Sequence, residues 1–262
     1  MITPDSRVPF VITTTPRDAA IEILNNSYTV YRVPDEMAEL IRTARSEALK
    51  ILDGPPILSC QRIINGHLYG YNVPSKAKRL FRAFCAQKDE QPWPNPSFQR
   101  ASMEVAESLH DLLVSCTHQI QIQNETSLSD KRPRKRRRPE SRIPSNMMDS
   151  PNCPLDYFLY HNLNPNAVNC SQHKDRGMLI CVCLSNVPGL EVRSNFSHKW
   201  VCPETMIHNF NLYHEKEPVS GLVCIMAGDQ LTEVVDHKVA CVHRVRNNLK
   251  RARLSISYEL RL

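Results

Sequence analysis

The sequence has no apolar run near the roughly 18 residues that a membrane-spanning helix requires. Its first residues also lack the basic-then-apolar layout of a secretory signal. The expectation is a chain that neither crosses a membrane nor is exported through a cleaved leader. Also missing is any C-x-x-C pair among the ten cysteines, several of which stand inside apolar runs such as Leu179-Ile180-Cys181-Val182-Cys183-Leu184. That usage excludes the common zinc-cage and disulfide-framework spacings and fits reduced, buried thiols, hence a nuclear and/or cytoplasmic location.

A third thing missing is positive charge spread over the chain. The net charge is +6, yet residues 131–142 (KRPRKRRRPESR) alone carry eight Lys/Arg against one Glu, which is +7, so the remainder sums to −1. A broadly basic nucleic-acid-binding face is therefore not expected. The positive charge is a local tag within a stretch, 124–150, that lacks apolar periodicity and is rich in Ser, Pro, Arg and Lys. That stretch reads as a disordered basic insertion whose residues 131–138 resemble a nuclear import signal, with an import receptor as the partner.

What is present falls on either side of this insertion. In residues 1–123, Val8–Ile12 and Ser27–Val33 have strand character, and Thr15-Pro16 caps a helix through Ala20, Ile21 and Leu24. From Asp35, apolar Met37, Leu40, Ile41, Ala44, Ala48 and Ile51 recur at helical spacing. Similar spacing predicts helices from Ser75 through Phe84 and from Pro96 to Thr117, so this part is expected to be mainly helical. In residues 151–262 short β-rich runs dominate: Tyr157–Tyr160, Met178–Leu184, Leu190–Arg193, Leu222–Met226, Val239–Val245 and Leu254–Leu260. Many short strands with little helix suggest a sandwich, barrel or jelly roll.

Within that second part, His173-Lys174-Asp175 sets an imidazole and a carboxylate two residues apart, on one face if the backbone is extended. An ordered series follows: Gly177 before an apolar strand, Gly189-Leu190-Glu191-Val192, Gly228-Asp229-Gln230-Leu231, His243-Arg244-Val245 and, ten residues beyond His243, Arg253-Leu254-Ser255.

The series HKDRG, GLEV, GDQL, HRV and RLS resembles, in order, the motifs of the iron- and 2-oxoglutarate-dependent dioxygenases of the isopenicillin N synthase-like group. A further segment, Trp93-Pro94-Asn95-Pro96-Ser97-Phe98 before a long helix, is similar to that group's W-P-x-x-P-x-F. The resemblance implies an α+β fold with a double-stranded β-helix (jelly roll) core over 151–262 and N-terminal helices packed against it. It implies Fe(II), 2-oxoglutarate as co-substrate and O2, with oxidation of an unidentified small-molecule or protein substrate and release of succinate and CO2. Two imidazoles and a carboxylate on one face of an octahedral ion leave three positions open, which suits that chemistry.

By the same resemblance His173, Asp175 and His243 bind the metal. Arg253 clamps the distal carboxylate of the co-substrate, since a guanidinium matches a carboxylate with charge-assisted hydrogen bonds, and Ser255 adds another. The family's tyrosine just before a proline is displaced here, where Tyr160-His161-Asn162-Leu163-Asn164-Pro165 stands, with Asn162 as a candidate substitute. The rival readings are a catalytically silent binding or regulatory module of the same fold in the nucleus, and a zinc hydrolase using the same three ligands.

Overall fold

The computed structural model describes residues 11–64, 66–85, 91–129, 153–163, 168–195, 197–209, 221–235, 238–247 and 251–262. Val8–Phe10 of the expected first strand, most of the basic insertion including residues 131–138, and much of the Met206–Pro218 stretch lie outside them.

In chain order the elements are β1 (Ile12–Thr13), α1 (Pro16–Asn26), β2 (Tyr28–Arg32), α2 (Asp35–Leu52), β3 (Gln61–Ile64), β4 (His67–Ser75), β5 (Lys78–Phe84) and α3 (Pro96–Ser129). There follow β6 (Pro154–Tyr160), β7 (Val168–His173), β8 (Leu179–Cys183), β9 (Leu190–Arg193), β10 (Trp200–Val201), α4 (Pro203–Asn209), β11 (Leu222–Ala227), α5 (Asp229–Val234), β12 (Val242–Arg246) and β13 (Arg253–Leu260).

Local chemistry sets the helix starts. Thr15 is extended, and its hydroxyl accepts a hydrogen bond from the Asp18 amide at 3.2 Å, while Pro16 takes the first helical position, where no N–H is needed. α2 carries Asp35 and Glu36 in its first turn and Lys50 in its last, complementing the helix dipole, and buries Ala38, Ile41, Ala44 and Ala48 along one stripe.

The strands form two sheets, one nine-stranded in the order β1-β2-β11-β8-β13-β6-β5-β4-β3 and one four-stranded in the order β10-β9-β12-β7. From β6 onward the chain crosses between them, with β6, β8, β11 and β13 in the large sheet and β7, β9, β10 and β12 in the small one. Eight strands laid out this way make a jelly roll.

β8 and β11 are buried along their whole length, because both faces are covered. Leu179, Cys181, Cys183, Val223 and Ile225 join the core shared with α1, α2 and α3, whereas Ile180, Val182, Cys224 and Met226 pack with Leu190 and Val192 of the small sheet. Two-sided burial accounts for the unbroken apolar runs seen in the sequence. All ten cysteines are free thiols, eight of them buried.

α3 lies against the large sheet through Phe98, whose ring meets Phe81 at 4.8 Å and Tyr157 at 5.2 Å between centroids. Two hydrogen bonds of 2.9 Å, Tyr157 to Ser102 and His110 to Tyr258, cross that seam.

Two expectations are corrected. The segment from Ser75 through Phe84 is not a helix: it is the turn and strand β5 of a hairpin, pairing with both β4 and β6. Residues 1–123 are accordingly less helical than their periodicity suggests and contribute five strands to the large sheet. The helix from Pro96 also runs past Thr117 to Ser129, so Asn124–Ser129, expected to open the insertion, is helical.

Candidate metal centre

β7 and β12 are antiparallel neighbours, and His173 at the end of β7 is the direct cross-strand partner of His243 in β12. Partners in such a ladder project from the same face, and the two imidazole centroids are 4.2 Å apart. Asp175 enters from the turn after β7, its Oδ1 3.5 Å from Nε2 of His173 and its Oδ2 3.3 Å from Nε2 of His243. One ligand atom from each of the three residues lies within 4.8 Å of the others. Both rings are oriented from behind, with Nδ1 of His173 2.8 Å from the Ser171 carbonyl and Nδ1 of His243 3.4 Å from the Cys241 carbonyl. An Nδ1–H held this way leaves Nε2 with its lone pair free for an ion.

Electrostatics agree with a cation at this point. Burial alone would raise the Asp175 carboxyl, but its bonds to His173 and His243 hold it well below the usual carboxylate range. The hydrogen bond to Asp175, helped by Cys170 and opposed by burial, raises His173 to about 10. With no ion bound, these shifts favour a proton held between His173 and Asp175 at the point where an ion would bind.

The turn carrying Asp175 is fixed by backbone contacts with the start of α5. The Asp229 amide donates to the Asp175 carbonyl at 2.8 Å, the Gln230 amide to the Gly177 carbonyl at 3.2 Å and the Gly228 amide to the Met178 carbonyl at 3.0 Å. From the other side the Gly177 amide donates to Oε1 of Glu259 at 2.6 Å. A Cβ at Gly228 would stand 2.0 Å from the Gly177 carbonyl oxygen, so only glycine fits. The GDQL segment contributes no ligand to the centre; it holds the turn that does.

Arg253 opens β13 and is fully buried together with Glu204 of α4, its Nη2 donating to Oε1 of Glu204 at 2.8 Å. Glu204 also accepts from the amides of Gly189 at 3.2 Å and Leu190 at 3.1 Å. The Arg253 chain lies across Gly189, where a Cβ would fall 2.9 Å from its Cδ, which explains the glycine at the start of GLEV. Among the described residues, Nε and Nη1 of Arg253 have no hydrogen-bond partner. Leaving buried donors unpaired costs about 1–3 kcal/mol each, so this cation is built to receive an acceptor. Ser255, buried and two residues along the same strand, faces the same way.

Tyr160 of β6 is the cross-strand partner of Arg253 and is also buried. Burial raises its phenol and the nearby Arg253 charge opposes that rise. The displaced tyrosine of the sequence motif is thus beside the arginine after all. Asn162 is engaged elsewhere: its Nδ2 donates to the Arg251 carbonyl at 2.5 Å and its Oδ1 accepts from Asn169 at 2.7 Å, tying the end of β6 to β7 and to the start of the last segment. Sequence reasoning did not find Glu204. A lone Glu in a P-E-T turn carries no signal until the fold sets it against Arg253.

The fold is shared with solved 2-oxoglutarate/Fe(II) oxygenases. An oxygenase candidate from Shewanella oneidensis superposes with a TM-score of 0.70 at 16% identity over 97% of this chain and 90% of that one. AtDAO1, dioxygenase for auxin oxidation 1 from Arabidopsis thaliana, solved with 2-oxoglutarate, gives 0.64 at 15% identity over 95% and 92% of the two chains. A full-length Neurospora crassa protein, solved in complex with alpha-KG and thymine, gives 0.61 at 16% over 99% and 87%. No protein-family model and no curated protein matches the sequence, so the likeness is one of structure.

Because a histidine must be neutral to bind an ion, a ring raised to about 10 makes metal binding release a proton. The affinity for Co(II), read from its visible spectrum, should fall about tenfold for each pH unit lowered below 8, and a pH-independent affinity would contradict the proton bridge. Replacing Glu204 by Ala strands a buried guanidinium, and urea unfolding should show a loss of about 3–5 kcal/mol, with Glu204→Gln losing less.

Proposed function

We propose that this chain is an Fe(II)- and 2-oxoglutarate-dependent dioxygenase, with hydroxylation of a small molecule as its most natural reaction. The observation that carries the reading is the pairing of the His173–Asp175–His243 centre with a buried arginine whose Nε and Nη1 have no partner among the described residues. A hydrolase using the same three ligands has no use for such an arginine.

His173, Asp175 and His243 would hold the ion by one face. Bound Fe(II) supplies the redox chemistry that couples decarboxylation of 2-oxoglutarate with O2 to oxidation of a substrate. The residues of the chain do the positioning. Arg253 offers its free N–H groups to the distal carboxylate of the co-substrate, and the hydroxyls of Ser255 and Tyr160 lie on the same face to add hydrogen bonds. Glu204 keeps the guanidinium oriented and neutralises part of its charge. Burial of this floor excludes bulk water and strengthens each of those contacts. That the Neurospora crassa protein was captured with thymine, and that AtDAO1 is named for auxin oxidation, supports a small-molecule substrate.

With Fe(II), 2-oxoglutarate and O2 alone, the purified protein should release succinate above a His173→Ala control. Arg253→Lys should raise the 2-oxoglutarate KM about ten- to a hundredfold, the worth of charged hydrogen bonds near 1.5–3 kcal/mol. A protein that binds metal and 2-oxoglutarate but yields no succinate above the control would instead be the silent module.

The basic run at 131–138 supports import into the nucleus. Deleting it from a fluorescent fusion should shift the protein to the cytoplasm, and an unchanged distribution would discard that assignment.

A further inference from the structure

Arg253, Tyr160 and Lys78 form one row across three neighbouring strands, since Arg253 pairs with Tyr160 and Tyr160 with Lys78. Cross-strand partners share a face, so Lys78 leaves the large sheet on the side that carries Arg253. The next row on that face is Ser255, Phe158 and Leu80. Along each row burial lessens, from fully buried Arg253 and buried Ser255 to half-buried Lys78 and Leu80.

The small sheet ends at β7, the strand that closes with His173, whereas the large sheet continues through β5, β4 and β3. Cys170 of β7 has its Sγ 3.8 Å from Nδ1 of His173 and is an electrostatic neighbour of both Lys78 and Tyr160. Lys78 therefore lies within electrostatic reach of the Cys170 thiol beside His173, on the Arg253 face of the large sheet.

Two observations bear on this lysine. Its Nζ sits 4.6 Å over the ring of Phe158 and 5.4 Å from that of Tyr160, and the two rings stack at 19°. This platform fixes an otherwise mobile ammonium without neutralising it. Its charge is also uncompensated. Arg253 has Glu204, Arg82 has Asp156, Arg244 and Arg246 have Glu191, and Arg261 has Glu259, yet no carboxylate among the described residues pairs with Lys78. Arg253 has Glu204 as a counter-charge, and Lys78 is the second positive charge of the row. Phe158 and Leu80, half-buried alongside, supply apolar surface.

We propose that Lys78, Phe158 and Leu80 form the subsite for the oxidised substrate, and that this substrate is a small organic carboxylate. Its carboxylate meets Lys78 and its flat apolar body rests on Phe158 and Leu80, which turns the remainder toward the metal. The assignment rests on the oxygenase reading only for the role of the neighbouring centre.

The test uses full-length protein with Mn(II) and saturating 2-oxoglutarate, and benzoate and benzamide as probes. Binding is read twice by NMR, as paramagnetic broadening of probe protons and as saturation transfer to the probe without metal. Benzoate should bind, broaden with Mn(II) and exceed benzamide at least about tenfold in affinity, the scale of one desolvated charge pair. Lys78→Met should lose about tenfold in benzoate affinity, and Lys78→Arg should stay close to wild type. The affinity for 2-oxoglutarate should be unchanged in both variants.

Equal binding of benzoate and benzamide, absence of benzoate binding, or an unaltered Lys78→Met variant would overturn the proposal. A selective loss of 2-oxoglutarate binding in Lys78→Met would also overturn it, by assigning the lysine to the co-substrate. Failure of the wild-type protein to bind Mn(II) or 2-oxoglutarate would strike the oxygenase reading instead, while the metal-free comparison of probes still decides the subsite.

Discussion

The whole site depends on the register between β7 and β12. In an antiparallel ladder a slip of one residue turns every side chain to the opposite face. The pairing of His173 with His243 is therefore what makes a two-imidazole centre possible; the regular pairing of β12 with β9 holds the His243 strand, while the β7 pairing shifts register just beyond that point. Asp175 cannot be set by that ladder, because it lies past the end of the strand. It is held instead by the first amides of α5, and the two glycines where these segments touch let the backbones come within hydrogen-bonding reach. The centre is thus fixed by main-chain hydrogen bonds, with the side chains adding only the last few ångströms of orientation.

Much of the site was legible because its residues fall in a fixed order along the chain, and order survives folding. The motifs HKDRG, GLEV, GDQL, HRV and RLS each correspond to a physical need: ligands, a glycine beneath Arg253, a clamp on the turn, a ligand, and the arginine itself. Glu204 was hidden because its meaning comes from a contact 49 residues away in sequence. Tyr160 escapes notice when spacing to Pro165 is the guide, whereas pairing with Arg253 determines where its ring lies.

Secondary structure was legible where burial is one-sided. α2 shows a clean stripe because only one face is covered. β5 misled because Ala77, Leu80, Phe81 and Phe84 repeat at helical intervals, while the strand carries apolar groups on both sides, Phe81 and Ala83 toward the helices and Leu80 toward the inner face. Two-sided strands lose the alternation that would identify them. β7 failed for the opposite reason. It is an edge strand made of Val, Asn, Cys, Ser, Gln and His, nowhere buried, with no hydrophobic pattern to read.

The buried pair of Arg253 and Glu204 constrains how this sequence can drift. A cation with no route to water cannot lose its counter-charge alone, and a carboxylate in the same place cannot lose its cation alone. Substitution at either position therefore requires a matched change at the other. In related chains the two columns should vary jointly or not at all, and a lineage that replaces both with neutral residues will have given up the charge pair proposed here to anchor a dicarboxylate.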